Sequence, residues 1–298
     1  MSDFKEIYFQ SKDGLRLYAR DYDRDYARTD TALTPTAKLP VICLHGLTRN
    51  SSDFDELAPW IAQQGRRVLA VDVRGRGRSQ HAKKVSHYHP MVYAADVISL
   101  AQTLGIPRAV FVGTSMGGLI TMSLALRQSK LIAAAILNDV GPVLSQRGLN
   151  RIASYAGEGS NCANWDQARD YIRTINQSAF PNNSEQEWDK WAHRAFAQNA
   201  LGKLELQYDP LIATPLKTGK LKASSWIAKW AFRRLTKQCP CLLVRGTISD
   251  LLEPEQANYM LKVAPHLQYV EVPGIGHAPM LTEPEAKFAI QNFLSQVE

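Results

Sequence analysis

Ser115 stands between two glycines, in Gly113-Thr114-Ser115-Met116-Gly117, and is the side chain best placed to act as a nucleophile. The five residues follow a short apolar run at 109–112 and open a helical pattern that starts near Met116. A strand that turns sharply into a helix crowds its own backbone, so a side chain on either flanking position would clash. Such a turn holds the serine hydroxyl exposed above a sheet, and the helix N-terminus behind it favours developing negative charge.

A serine nucleophile needs a base and an orienting acid, and after such a turn they follow in the chain order Ser, Asp or Glu, His. His277 lies in a glycine-bearing loop, 273–279, after a strand-like run, and the glycines let that loop bring the imidazole back over a sheet edge. Two acids compete. Asp250 follows the apolar run 241–244, one strand before the histidine, and is favoured; Asp139 follows the run 131–137 and is assigned to fixing the entry into the next segment. Either could reach His277 Nδ1, because both leave carboxyl ends of adjacent strands. The oxyanion of an acyl transfer also needs donors. His45-Gly46-Leu47 directly follows the run 41–44, and the backbone N–H groups of Leu47 and Met116 are the expected pair. His45 reads as structural more than catalytic, with His45 and Gly46 both candidates to touch substrate.

The elements that must position these groups can be read from the apolar pattern. An N-terminal hairpin is expected from residues 4–10 and 15–21 around Asp13-Gly14. A polar loop with Thr34, Pro35 and Thr36 follows. Short apolar strands (41–44, 68–71, 109–112, 131–137, 241–244, 267–272) then alternate with helices (53–64, 91–104, 116–128, 255–263, 283–293). That alternation implies a parallel sheet covered on both faces. It is interrupted over 141–238, which lacks strand-like runs and holds five of the six tryptophans. Such an all-helical insertion would lie over the carboxyl edge of the sheet, where ligands of α/β folds bind. The expected domains are therefore a core, 1–140 with 239–298, and a helical cap, 141–238. Trp188 with Trp191, and Trp226 with Trp230, have the spacing of one helix face. Such stripes commonly form core, but over a sheet edge Trp188 and Trp226 become candidate substrate contacts.

Composition narrows the partners. With 298 residues, 45% hydrophobic and 21% charged, the chain is an ordinary globular one. The net charge of +7 is concentrated in 141–238, where 14 Lys and Arg face 8 Asp and Glu. No nucleic-acid motif accompanies that excess, which reads as a solvated surface. The longest apolar stretch, 131–137, is far below the ~20 residues of a membrane span. Met-Ser-Asp-Phe-Lys-Glu puts charges where a signal peptide needs an apolar core, so a cytoplasmic protein is expected, with Cys43, Cys162, Cys239 and Cys241 as reduced thiols. His81, His87 and His89 lie close together without an acid or cysteine to complete a metal set, so no metal is expected.

Taken together, His45-Gly46, the DVRGRGRS stretch at 72–79, the Ser115 turn, the NDVGP stretch at 138–142, RGTISD at 245–250 and GIGH at 274–277 resemble the α/β-hydrolase superfamily over nearly the whole length. The resemblance implies an eight-stranded, mostly parallel sheet with a helical cap inserted after the sixth strand. It implies Ser115, Asp250 and His277 as a catalytic triad, with Leu47 and Met116 as the oxyanion hole. Serine in place of the aspartate of haloalkane dehalogenases and epoxide hydrolases argues against those activities. The expected reaction is hydrolysis, without cofactor, of a small-molecule carboxylic ester with a small to medium apolar acyl group. Lactone, thioester and carbon–carbon bond hydrolysis stay open as uses of the same groups, and a non-catalytic ligand-binding role is the distant alternative.

Overall fold

A computed structural model describes residues 4–23, 38–160, 162–219 and 223–297, so the expected loop at Thr34, Pro35 and Thr36 lies outside the described residues. The chain opens with a hairpin of β1 (Lys5–Gln10) and β2 (Arg16–Tyr22), turned at Gly14, whose φ is 84°. There follow β3 (Val41–Leu44), α1 (Leu57–Ala62), β4 (Val68–Asp72), α2 (Pro90–Thr103), β5 (Ala109–Thr114), α3 (Met116–Arg127) and β6 (Ile132–Asn138). Next come α4 (Gln146–Tyr155), α5 (Trp165–Asn176), α6 (Glu185–Ala195), the short strands β7 (Phe196–Gln198) and β8 (Leu204–Leu206), α7 (Thr214–Lys217) and α8 (Trp226–Gln238). β9 (Cys241–Gly246), α9 (Pro254–Val263), β10 (Gln268–Val272) and α10 (Pro284–Ser295) complete the chain.

Eight strands form one sheet in the order β1-β2-β4-β3-β5-β6-β9-β10. β1 and β2 run antiparallel and the other six are mutually parallel. The central strands are buried on both faces, which explains their unbroken apolar runs. Along β3, Ile42 and Leu44 enter one core and Val41 and Cys43 the other; along β9, Leu243 and Leu242 divide in the same way. All the parallel strands therefore end at one edge, and the loops leaving that edge carry the residues singled out above.

Two local expectations are corrected. The helix expected over 53–64 divides into a 3₁₀ turn, Ser51–Phe54, and α1. Pro59 is the cause: it has no N–H to offer the carbonyl of Asp55 and its ring would collide with it, so it is tolerated only in the first turn of a new helix. The segment between β6 and β9 is also not all helical, since β7 and β8 pair as a small antiparallel hairpin. Three residues per strand are too few to produce a legible alternation. Hydrogen bonds stitch this segment to the sheet's carboxyl edge: Gly77 N to Gln207 O at 2.8 Å, Asp209 N to Gly75 O at 2.8 Å, and Gly276 N to Ala179 O at 2.6 Å.

Candidate active site

Ser115 sits where β5 ends and α3 begins, with φ 52° and ψ −114°, a conformation rarely adopted by residues other than glycine. Its neighbours explain how the turn is tolerated. A Cβ on Gly113 would meet the backbone of Gly117 at 2.6 Å, and one on Gly117 would meet Leu44 O at 2.0 Å. The Ser115 N–H donates to Asn138 O at 3.0 Å, so the tip of β6 holds the turn from beside it.

His277 arrives from the loop after β10. That loop passes so close to Gly246 and Ala179 that a Cβ on Gly246 would stand 2.3 Å from Ile275 O, and one on Gly276 would stand 2.7 Å from Ala179 Cα. Asn138 fixes its far end, donating from Nδ2 to Pro279 O at 2.7 Å. The imidazole is thereby held with Nε2 2.8 Å from Ser115 Oγ and Nδ1 2.7 Å from Asp139 Oδ2. A carboxylate opposite Nδ1 keeps the proton on that nitrogen and leaves Nε2 free to accept from the serine hydroxyl.

The acid facing His277 is Asp139, not the favoured Asp250. Asp139, at the tip of β6 with φ 54°, is fully buried. Its Oδ1 accepts from Gly246 N at 3.1 Å, and its Oδ2 accepts from Ser249 Oγ at 2.5 Å as well as from His277. Asp250 is carried past this point. Gly148 packs α4 onto the same turn, where a Cβ would meet Asp250 O at 2.7 Å, and Arg151 lies one turn further along the same face. Arg151 grips the Asp250 carboxylate through Nε at 2.5 Å and Nη2 at 2.8 Å. Partial burial would raise the Asp250 carboxyl, but the hydrogen bonds and charge of Arg151 outweigh it and hold the group below the usual carboxylate range.

Leu47 and Met116 were the residues expected to offer backbone donors to an oxyanion. The N–H groups of Leu47 and Met116 have no acceptor among the described residues, Met116 being the first residue of α3. His45 lies behind them, fully buried. Its Nδ1 is 2.7 Å from Gly46 O and its Nε2 accepts from Val73 N at 3.1 Å; burial pushes its pKa down to about 4, so the ring is neutral and structural. Arg76, in the tight loop after β4, carries no signal of its role in the sequence. Fully buried, it donates from Nε to Leu47 O at 2.9 Å and from Nη1 to Tyr93 Oη at 3.0 Å, which fixes the peptide next to the Leu47 amide.

Ser115 lies between two cavities. One, of about 290 Å³, is lined mainly by aliphatic side chains including Leu119, Val140, Leu144, Leu149 and Ile152, and reaches Leu47 and Met116. The other, of about 90 Å³, adjoins His277 and is lined by Gly46, Arg49, Asp53, Tyr155, Tyr171 and Trp191 among others. Neither of the two tryptophans expected at the site is in these walls. Trp188 is buried in a separate cluster, edge-on to Trp191, because the inward face of α6 packs against α5; only Trp191 reaches the cavity. Trp226 is 75% exposed on the outer face of α8. Arg49, Tyr155 and Tyr171 gave no sequence signal beyond the Arg49–Asp53 spacing, since a loop and two helices far apart in the chain bring them together.

Of the clustered histidines, His89 caps α2 by accepting from Met91 N, and His87 Nδ1 lies 3.0 Å from Asp13 Oδ2. The four cysteines are unpaired and buried. No helix of the described residues is long and apolar enough to cross a membrane.

The 3-hydroxybutyrate-oligomer hydrolase of Cupriavidus necator is 35% identical over 257 residues, covering 84% of this chain and 86% of that protein. The 2-(acetamidomethylene)succinate hydrolase of Mesorhizobium japonicum is 26% identical, covering 85% and 87%. The crystal structure of an α/β hydrolase from Novosphingobium aromaticivorans superposes over the whole of both chains with a TM-score of 0.89 at 38% identity. A family model described as the alpha/beta hydrolase fold matches residues 40–284, a span holding the Ser115 turn, Asp139 and the His277 loop. The chain belongs to the α/β-hydrolase fold family.

Proposed function

We propose that the protein is a serine hydrolase of carboxylic esters, acting through an acyl-enzyme on Ser115, with short hydroxyacyl esters such as oligomers of 3-hydroxybutyrate as its substrate class. The observation that carries this reading is the unbroken line Ser115–His277–Asp139, at 2.8 and 2.7 Å, beside two unengaged backbone amides. His277 Nε2 takes the proton of Ser115 Oγ as that oxygen attacks the ester carbonyl. The resulting oxyanion accepts from Leu47 N–H and Met116 N–H, while Asp139 stabilises the imidazolium without itself becoming protonated. His277 then passes the proton to the departing alkoxide. Water, activated by the same nitrogen, releases the acid and restores the serine.

The apolar cavity suits the acyl group and the cavity beside His277 suits the alcohol, because the leaving oxygen must meet His277. The relative whose substrate is a 3-hydroxybutyrate oligomer supports an ester with polar groups along a short chain. Residues 141–238 would then act as a cap that completes both cavities from above the sheet edge.

The test is turnover of p-nitrophenyl esters from acetate to palmitate and of the linear 3-hydroxybutyrate dimer, by wild-type protein and Ser115→Ala. Activity that peaks at short chains, extends to the dimer and disappears in the variant is expected. A well-folded protein that hydrolyses none of these esters would overturn the reading.

A further inference from the structure

We propose that the cavity beside His277 is a carboxylate subsite, in which Arg49 and Tyr171 receive a free carboxylate carried by the leaving alcohol. The assignment of this cavity to the alcohol rests on the ester-hydrolase reading above; the carboxylate preference rests on the side chains themselves.

Arg49 leaves the loop after β3 and projects beside the nucleophile. A Cβ built on Gly46 would stand 3.5 Å from Arg49 Cγ and 3.8 Å from Ser115 Cβ, so the missing side chain of one glycine separates the arginine stem from the catalytic serine. Among the described residues only one of the three guanidinium nitrogens has a hydrogen-bond partner: Nε donates to Asp53 Oδ2 at 2.8 Å. Nη2 is buried without a partner among the described residues, and the guanidinium carbon lies 5.0 Å from the centre of the Trp191 ring. Tyr171, on α5, lines the same cavity, and its Oη is likewise buried without a partner among the described residues.

Two buried donors without partners among the described residues, on side chains that both line one small cavity, are uncommon in a folded chain, because buried polar groups are ordinarily hydrogen-bonded. Both lack an acceptor, and one is cationic. A planar carboxylate is the acceptor that fits a guanidinium fork. Asp53 is the one acid in the cavity wall among the described residues, and it is already held by Arg49 Nε, which orients the fork rather than occupying its outer nitrogens. A hydroxy acid leaving as an alkoxide presents its oxygen to His277 and its carboxylate a few bonds further into the cavity. Arg49 comes from the sheet side and Tyr171 from the inserted segment, so the carboxylate would be held between the two.

The probes are the linear 3-hydroxybutyrate dimer and the same dimer with its carboxylate converted to a primary amide. For wild-type protein, kcat/KM should favour the free acid by on the order of 10- to 100-fold, the range of one charge-assisted hydrogen-bonded contact. In Tyr171→Phe and in Arg49→Gln that preference should shrink towards one. Tyr171→Phe removes a hydroxyl that bonds to nothing among the described residues, so its folding is not at issue. In parallel, calorimetry with 3-hydroxybutyrate and 3-hydroxybutanamide measures binding without turnover. Anion-selective binding that is lost in both variants supports the subsite even if no ester is cleaved, an outcome that would sink the esterase reading alone. No preference for the carboxylate in wild-type turnover or binding, or a preference that survives both substitutions, overturns the subsite.

Discussion

Asp139→Asn is the substitution that most directly tests the arrangement at His277. The native carboxylate accepts two hydrogen bonds on Oδ2, from His277 Nδ1 and Ser249 Oγ, and one on Oδ1, from Gly246 N. An amide has only one accepting oxygen. If that oxygen faces His277, the NH₂ group meets the Gly246 N–H, donor against donor. If it faces Gly246, the NH₂ group confronts Nδ1 and drives the imidazole into the tautomer whose Nε2 carries the proton and cannot accept from Ser115. Either way the imidazolium formed during attack loses its counter-charge. The expected loss in kcat is about 10⁴, equivalent to about 5.5 kcal/mol of transition-state stabilisation. The unsatisfied buried donor should lower stability by about 1–3 kcal/mol. Asp250→Asn is the matched control. It breaks the partly buried pair with Arg151, whose side chains are 18% and 22% exposed, and should lower stability by about 1 kcal/mol while leaving kcat within roughly tenfold. Initial rates on p-nitrophenyl butyrate, with thermal melts of each variant, separate the two. An inactive, normally folded Asp250→Asn beside an active Asp139→Asn would refute the assignment of Asp139.

Arg76→Lys should lower kcat by about 10- to 100-fold with little change in KM, because the Leu47 peptide loses the planar group that fixes it; a rise in KM alone would contradict this. Gly117→Ala should destabilise by roughly 4 kcal/mol or more, since its Cβ would lie 2.0 Å from Leu44 O in the middle of the sheet, and soluble expression with a melting scan will show whether it does. His45 adds a pH dependence: the unfolded ring takes up a proton near pH 6.5, whereas the folded ring resists it down to about 4. Its share of stability is therefore complete above pH 6.5 and is lost as pH falls towards 4, by roughly 3 kcal/mol, and His45→Gln should flatten the difference between urea melts at pH 7.5 and 4.5 by about that amount.

The parts of the site legible in the sequence are those whose causes are local. The Ser115 turn announces itself because Gly113 and Gly117 are demanded by contacts within a few residues or with the adjacent strand, and His277 because its loop must pass close to neighbouring backbone. The sheet was legible because strands buried on both faces must be apolar throughout. The acid was not. Asp139 and Asp250 leave adjacent strand tips, and the choice between them depends on where α4 packs: Gly148 brings that helix onto the 250–251 backbone, and Arg151 then draws Asp250 away. That contact joins residues about a hundred positions apart, and nothing in the pattern around Asp250 encodes it. The tryptophans failed for a related reason. Helical spacing puts Trp188 and Trp191 on one face, yet only packing of α5 against α6 decides which of them meets the cavity and which fills the core.

The asymmetry around Ser115 also bears on the order of steps. Met116 lines the larger, aliphatic cavity and His277 the smaller one, while Leu47 and Ser115 border both, so on the reading proposed above the two substituents of an ester carbonyl would be sorted by position before any bond breaks. On that reading the water that completes the reaction needs the same His277 nitrogen that served the departing alkoxide, and so would arrive from the cavity beside His277. A hydroxy acid still held there by Arg49 and Tyr171 would occupy that approach. On the reading proposed above, deacylation waits for the first product to leave, and tight carboxylate binding would slow the second half of the reaction while favouring the first. Added 3-hydroxybutyrate should therefore trap acyl-enzyme and lower kcat as well as compete with substrate, a mixed inhibition that should become weak in Tyr171→Phe. Purely competitive inhibition, unchanged by that substitution, would show that water reaches His277 by a route the alcohol does not use.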